Sequence, residues 1–191
     1  QGEGQWLRGE VHDPRAWKLG GVAGHAGLFA TADDLARYAR AMLQGGELEG
    51  VSVLGAPAVA TMTAATAVPG GGLRGLGWDK QSGFSSNRGE RLSSSAFGHG
   101  GFTGTSLWID PDLDLFVIFL GSRLHPDGKG RVNPLAGAIA DVAVAAIEPA
   151  ASDVPITVAA RTPTPQPNVV VILADDAGWG DFSVTGNQTL A

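Results

Sequence analysis

The sequence predicts an α+β fold, an antiparallel sheet flanked by helices, and three observations carry that prediction. Helix-periodic segments stand near both ends of the residues up to 147. Between them lie runs rich in Trp, Ile, Phe and Val, the residues that suit a buried pleated surface. The connection between the two strongest runs is only Pro111-Asp112-Leu113-Asp114, which is long enough for an antiparallel hairpin and too short for a parallel crossover.

The elements follow in order. Residues 1–28 are glycine-rich, and the run 20–27 holds too many glycines for a stable helix, so this stretch reads as loop with closely packed backbone. Thr31 with Asp34 three residues on forms a capping box. Leu35, Tyr38, Ala39, Met42 and Leu43 then recur at helical spacing until Gly45-Gly46 stops the helix. A second helix starts with Pro57 in its first turn and runs to about Ala65. The period then changes: 75–79 is a short strand candidate, and 106–110 and 115–122 are stronger ones. Asn133 before Pro134 opens a closing helix with Leu135, Ile139 and Val142 on one face, ending near Ile147.

Beyond it the composition shifts. Residues 149–167 are rich in Pro, Ala and Thr and end in Thr162-Pro163-Thr164-Pro165-Gln166-Pro167, a semi-rigid extended linker. The apolar run 168–174 reads as a buried strand of the parallel type. Three segments result: a main domain over 1–148, a linker over 149–167 and the start of a second domain over 168–191. The sequence starts at Gln1 and stops soon after a motif, so it reads as a piece spanning a junction.

Composition narrows the function. The 191 residues are 43% hydrophobic and 17% charged, which suits a globular core. The net charge of −6 comes without any Lys/Arg run, which argues against nucleic acid as a partner. No segment is long and apolar enough to span a bilayer. The absence of cysteine excludes disulfides, thiolate metal sites and a cysteine nucleophile within the chain, and leaves the compartment open.

The chemistry-bearing string is Gly98-His99-Gly100-Gly101-Phe102-Thr103-Gly104-Thr105-Ser106 at the entry to the hairpin. Gly100 and Gly101 let a substrate lie against the strand, where backbone N–H groups hold a developing oxyanion and His99 adds a donor or a proton relay. A glycine-rich strand entry with purely structural His99 is the plainer alternative. A lipase-type oxyanion loop requires a Gly-x-Ser-x-Gly elbow, and the sequence has none. His12-Asp13 and His25 admit a metal or dyad reading, with loop packing the plainer one. His125 reads as solvated loop, and Ser106 lacks a neighbouring base.

Together, residues 9–43 (GEVHDPRAWKLGGVAGHAGLFATADDLARYARAML) and the string FGHGGFTGTSLWIDPDLDLFVIFLGSR resemble the beta-lactamase-related serine hydrolases. These comprise class C-like beta-lactamases, D-alanyl-D-alanine carboxypeptidases and esterases. The resemblance implies a partial beta-lactamase/transpeptidase-like fold over the first segment and no cofactor. It also implies a small-molecule or peptidoglycan-like substrate and a periplasmic or secreted location. His99-Gly100-Gly101 matches the family's third motif, and the Phe102 N–H would form half of the oxyanion hole. His25 would lie at the cleft rim as a substrate contact. Gly100 stands where the family often has Thr or Ser, which removes a side-chain hydrogen bond to a substrate carboxylate. The nucleophile motif Ser-x-x-Lys and the second motif Tyr-x-Asn are absent from the sequence, so the chain by itself is expected to be catalytically silent.

The string 167–181 (PNVVVILADDAGWGD) closely resembles the start of type I sulfatases, whose α/β domain opens with this strand. By that resemblance Asp175 and Asp176 would bind calcium in a complete sulfatase domain. The expected parent is a serine hydrolase fused to a sulfatase. Two alternatives stand: a sulfatase with an accessory hydrolase-like domain, and a non-catalytic module that binds glycan or peptidoglycan.

Overall fold

The computed structural model describes residues 7–124, 127–147 and 168–174; His125, the linker 149–167, and Asp175 and Asp176 lie outside the described residues. The first element is one the sequence reading missed. Helix α1 (Pro14–Lys18) interrupts the expected loop because Asp13 caps it through Oδ1, accepting from the backbone N–H of Arg15 and Ala16, with Pro14 in the first turn. The loop that follows is packed backbone to backbone, as expected. Gly27 adopts φ +108°, and a Cβ there would lie 2.3 Å from the Gly21 carbonyl oxygen.

Helix α2 (Ala32–Leu43) starts at Thr31, whose Oγ1 accepts from the Asp34 N–H at 3.2 Å and donates to the Asp34 carboxylate at 2.8 Å. A small hairpin, β1 (Glu47–Leu48) and β2 (Val51–Ser52), leads to α3 (Ala56–Thr63). Three short strands come next: β3 (Thr66–Ala67), β4 (Leu73–Arg74) and β5 (Asp79–Gln81). The strand expected at 75–79 is instead the connection between β4 and β5, and only Asp79 belongs to a strand. Gly75 serves a close approach, since a Cβ there would meet the Met62 carbonyl oxygen at 2.2 Å.

A 3-10 turn (Ser85–Asn87) precedes β6 (Phe97–Gly100), β7 (Ser106–Asp110) and β8 (Leu115–Gly121). The β7–β8 hairpin is antiparallel, as its short connection required. Buried Asp110 fixes that turn by accepting from the Asp112 N–H at 3.1 Å and the Ser93 N–H at 2.7 Å. Helix α4 (Asn133–Ile147) closes the domain, and the final strand β9 is Asn168–Ala174.

The main sheet runs β3-β4-β5-β6-β7-β8-β9, antiparallel throughout except for the parallel pair β8–β9. Its two faces carry separate cores. Trp108, Leu115 and Val117 meet Ala140, Ala143 and Val144 of α4, while Phe97, Ile109, Phe116 and Ile118 meet Ala39 and Met42 of α2 and Val59 of α3. The fold is therefore α+β, an antiparallel sheet between helices, as the sequence predicted. One expected face is corrected. Helix α4 buries Ala136, Gly137, Ala140, Ala143 and Val144, whereas Leu135 and Val142 are 55% and 68% exposed. Where the helix passes the loop after the 3-10 turn the approach is close: a Cβ on Gly137 would lie 3.1 Å from the Gly89 nitrogen.

Candidate active site

Strand β6 pairs with β7 over four register positions but with β5 at Asp79–Gly98 alone, so at His99 and Gly100 its outer edge has no strand beside it. That edge opens on a cavity of about 910 Å³, whose walls include Asp13, His25, Phe84, Asn87, His99, Gly100, Gly101, Phe102 and Arg123. The structure thus brings His99, Gly100, Gly101, Phe102 and His25 to one cleft.

Past β6 the chain makes a tight turn. The Gly104 N–H donates to the Gly101 carbonyl at 3.1 Å and the Gly101 N–H to the Thr105 carbonyl at 2.7 Å. Phe102 occupies the second position of this turn, where the backbone N–H points outward, and it meets no acceptor among the described residues. The Phe102 ring is 71% exposed and lies between the Arg123 guanidinium, 4.9 Å from its centroid, and the His12 ring at 5.8 Å. Arg123 is in turn tied to the carbonyls of Gly128 and Gly130.

His99 is held differently from the free relay of the sequence reading. Its Nε2 lies 2.9 Å from Arg74 Nη2 and its Nδ1 2.7 Å from the Gly100 carbonyl oxygen. A guanidinium only donates and a carbonyl only accepts, so the partners fix a neutral ring with the proton on Nδ1. Both nitrogens are committed, and Phe84 stacks on the ring at 6.3 Å. His25 has the opposite arrangement: its Nε2 donates to Asp13 Oδ1 at 3.0 Å, and its Nδ1 meets no partner among the described residues. The Asp13 carboxyl sits below the usual aspartate value, first because the Ala16 N–H bonds to it and then because of His25.

Sequence reasoning missed Phe84 and Asn87, which line the cleft at the 3-10 turn, and Arg74 of β4, which holds His99 from behind; no spacing rule joins Arg74 to a residue 25 positions away. Among the described residues no three His, Asp or Glu side chains gather into a metal site.

Comparison with known proteins bears on this cleft. Residues 2–141 match the family described as Beta-lactamase. Proteins of Salmonella paratyphi B, Salmonella newport and Salmonella heidelberg, each named "Putative D-alanyl-D-alanine carboxypeptidase", are 38% identical over 132 residues, covering 67% of this chain and 30% of their own. The chain thus spans about 30% of the length of these relatives.

Proposed function

The chain belongs to the beta-lactamase family, and on that premise we propose that it forms the third-motif wall of a serine hydrolase that cleaves an ester or amide through an acyl-enzyme. The Phe102 N–H, without a partner among the described residues in a turn that lines the cleft, carries this reading. A backbone donor of this kind stabilises the oxyanion as a serine adds to the carbonyl. His99, with both nitrogens engaged, holds the strand edge in place, and the proton moves on other groups. The sequence holds no Ser-x-x-Lys, so in this reading the chain alone is silent. The family chemistry needs no metal for this step. A D-Ala peptide, a beta-lactam or a small ester is the substrate class, and the periplasm or exterior is where such a substrate is met.

Phe102→Pro tests the reading in the whole protein that carries this chain. Proline suits the second position of the turn and removes the N–H together with the ring. The expected result is a fall in kcat of about 10²–10³ for p-nitrophenyl ester or D-Ala peptide, with Phe102→Ala as the control for the ring. Equal activity in Phe102→Pro and Phe102→Ala would remove Phe102 from the oxyanion hole. The isolated chain should leave nitrocefin and p-nitrophenyl acetate unchanged, and serine-dependent turnover by it would overturn the proposed silence.

For the tail, the string 167–181 supports the start of a sulfatase domain in which Asp175 and Asp176 hold calcium; their paired hard oxygens suit that ion. A Cys/Ser-x-Pro/Ala-x-Arg motif further along the parent sequence is required, and its absence would remove this reading. The parallel pairing of β9 with β8 favours a second one, in which 168–174 serves as an edge strand of the hydrolase sheet.

A further inference from the structure

Gly100 is the position where the family's third motif often carries a hydroxyl, and its lack of a side chain suggested that a hydrogen bond to substrate is missing. The space is not empty. A Cβ built on Gly100 would lie 1.9 Å from Asn87 Nδ2 and 3.1 Å from Asn87 Cγ. The Asn87 amide therefore occupies the volume that a threonine or serine at position 100 would fill.

The orientation of that amide is fixed chemically. The indole Nε1–H of Trp108 only donates, and it lies 3.0 Å from Asn87 Oδ1, so Nδ2 is the atom turned towards Gly100. Asn87 is 2% exposed, lines the cleft, and its Nδ2 meets no acceptor among the described residues. Unlike Trp78 Nε1 and Arg88 Nε, this donor is not sealed from solvent, so it is open to a ligand or water in the cleft.

Its support is rigid. The segment before Asn87 is pinned by Asp79, which accepts from Ser82 Oγ at 2.6 Å and Ser85 Oγ at 2.7 Å. Asn133 Nδ2 donates to Ser86 Oγ at 2.9 Å and ties the same turn to α4. The exposed Arg131 lines the same cavity and makes no ion pair among the described residues, which favours an anion there.

We propose that Asn87 is a specificity-determining residue whose Nδ2 donates to a carboxylate oxygen of a ligand lying along β6, replacing from a neighbouring turn the hydroxyl that Gly100 lacks. This rests on the third-motif reading of His99–Phe102. It reverses the inference drawn from Gly100 alone: the cleft keeps a donor for a carboxylate-terminated substrate.

The test titrates ¹⁵N-labelled chain with N-acetyl-D-Ala-D-Ala and with its C-terminal amide. The carboxylate peptide should shift both the Asn87 side-chain NH₂ and the Phe102 amide, and the amide analogue should bind at least tenfold more weakly. Asn87→Asp keeps the shape and the Trp108 bond but removes the donor, so peptide affinity should fall at least tenfold. If the peptide moves Phe102 but not the Asn87 NH₂, and Asn87→Asp binds it equally well, the Asn87 proposal fails while the cleft reading stands. If neither signal moves, the cleft reading fails and takes this proposal with it. A pair of variants checks the shared volume without ligand: Gly100→Ser should lower the urea midpoint, and adding Asn87→Gly should restore part of the loss. No recovery would show that the two side chains do not compete for one space.

Discussion

One oxygen of Asp13 serves two structures, accepting from the Arg15 and Ala16 N–H groups that start α1 and from His25 across the loop. Because these donors favour the ionised form, the folded carboxyl titrates below the ordinary aspartate value of 3.8. The folded value lies under the unfolded one, so this stabilisation is fully present above 3.8 and fades as the pH falls below it through the folded value. Asp13→Asn should keep α1 and leave the melting midpoint at neutral pH nearly unchanged, since asparagine caps as well as aspartate. It should abolish the acid titration of the Ala16 amide resonance, and a titration that persists would place the responsible group elsewhere. At this scale the sequence showed which residues carry chemistry, His25 and His99 among them. It did not show how they are partnered. Whether a histidine has a free nitrogen depends on Arg74 and Asp13, which only folding brings near, and so the committed ring is His99 and the open one is His25.

Among the elements, those with local causes were legible. The Thr31–Asp34 cap, the stop after Leu43 and the hairpin between β7 and β8 each depend on neighbours within a few residues, and each formed as read. Helix α4 was placed correctly but turned to the wrong face. Helical spacing put Leu135, Ile139 and Val142 on the inner face; Ile139 does pack against the core, while Leu135 and Val142 meet water and Ala136, Ala140, Ala143 and Val144 fill the buried positions. The consequence is measurable by urea denaturation. Ala140→Leu and Ala143→Leu should each cost about 1–3 kcal/mol by overpacking. Leu135→Ala should stay within about 0.5 kcal/mol because that side chain already meets water. The reverse order would return α4 to the face its sequence suggested.

In the whole molecule, the sheet has its helices on both faces and its open cleft along one edge of β6. The apolar run 115–121 is continuous because β8 is covered on both sides, by α4 and by α2. The sheet edge beyond β8 is paired with β9 in parallel register from Leu115–Asn168 to Gly121–Ala174. One exposed apolar patch lies at the cleft, where Leu28, Phe29, Phe84 and Phe102 all face solvent. A patch of this kind marks a binding surface and promotes association of the isolated chain. The double variant Leu28→Ser, Phe29→Ser should raise the soluble yield and lower the binding of an apolar dye while leaving the melting midpoint within a few degrees. Unchanged dye binding would move the patch elsewhere. The sequence by itself determined the α+β class, the main helices, the hairpin and the string at His99–Phe102, because caps, turns and periodicity are written in contiguous residues. Only the tertiary structure decided that Arg74 and Asp13 fix the two histidines, and that the Asn87 amide fills the space beside Gly100. Those contacts join residues far apart in the chain, and their chemistry depends on distances and orientations that no local pattern encodes.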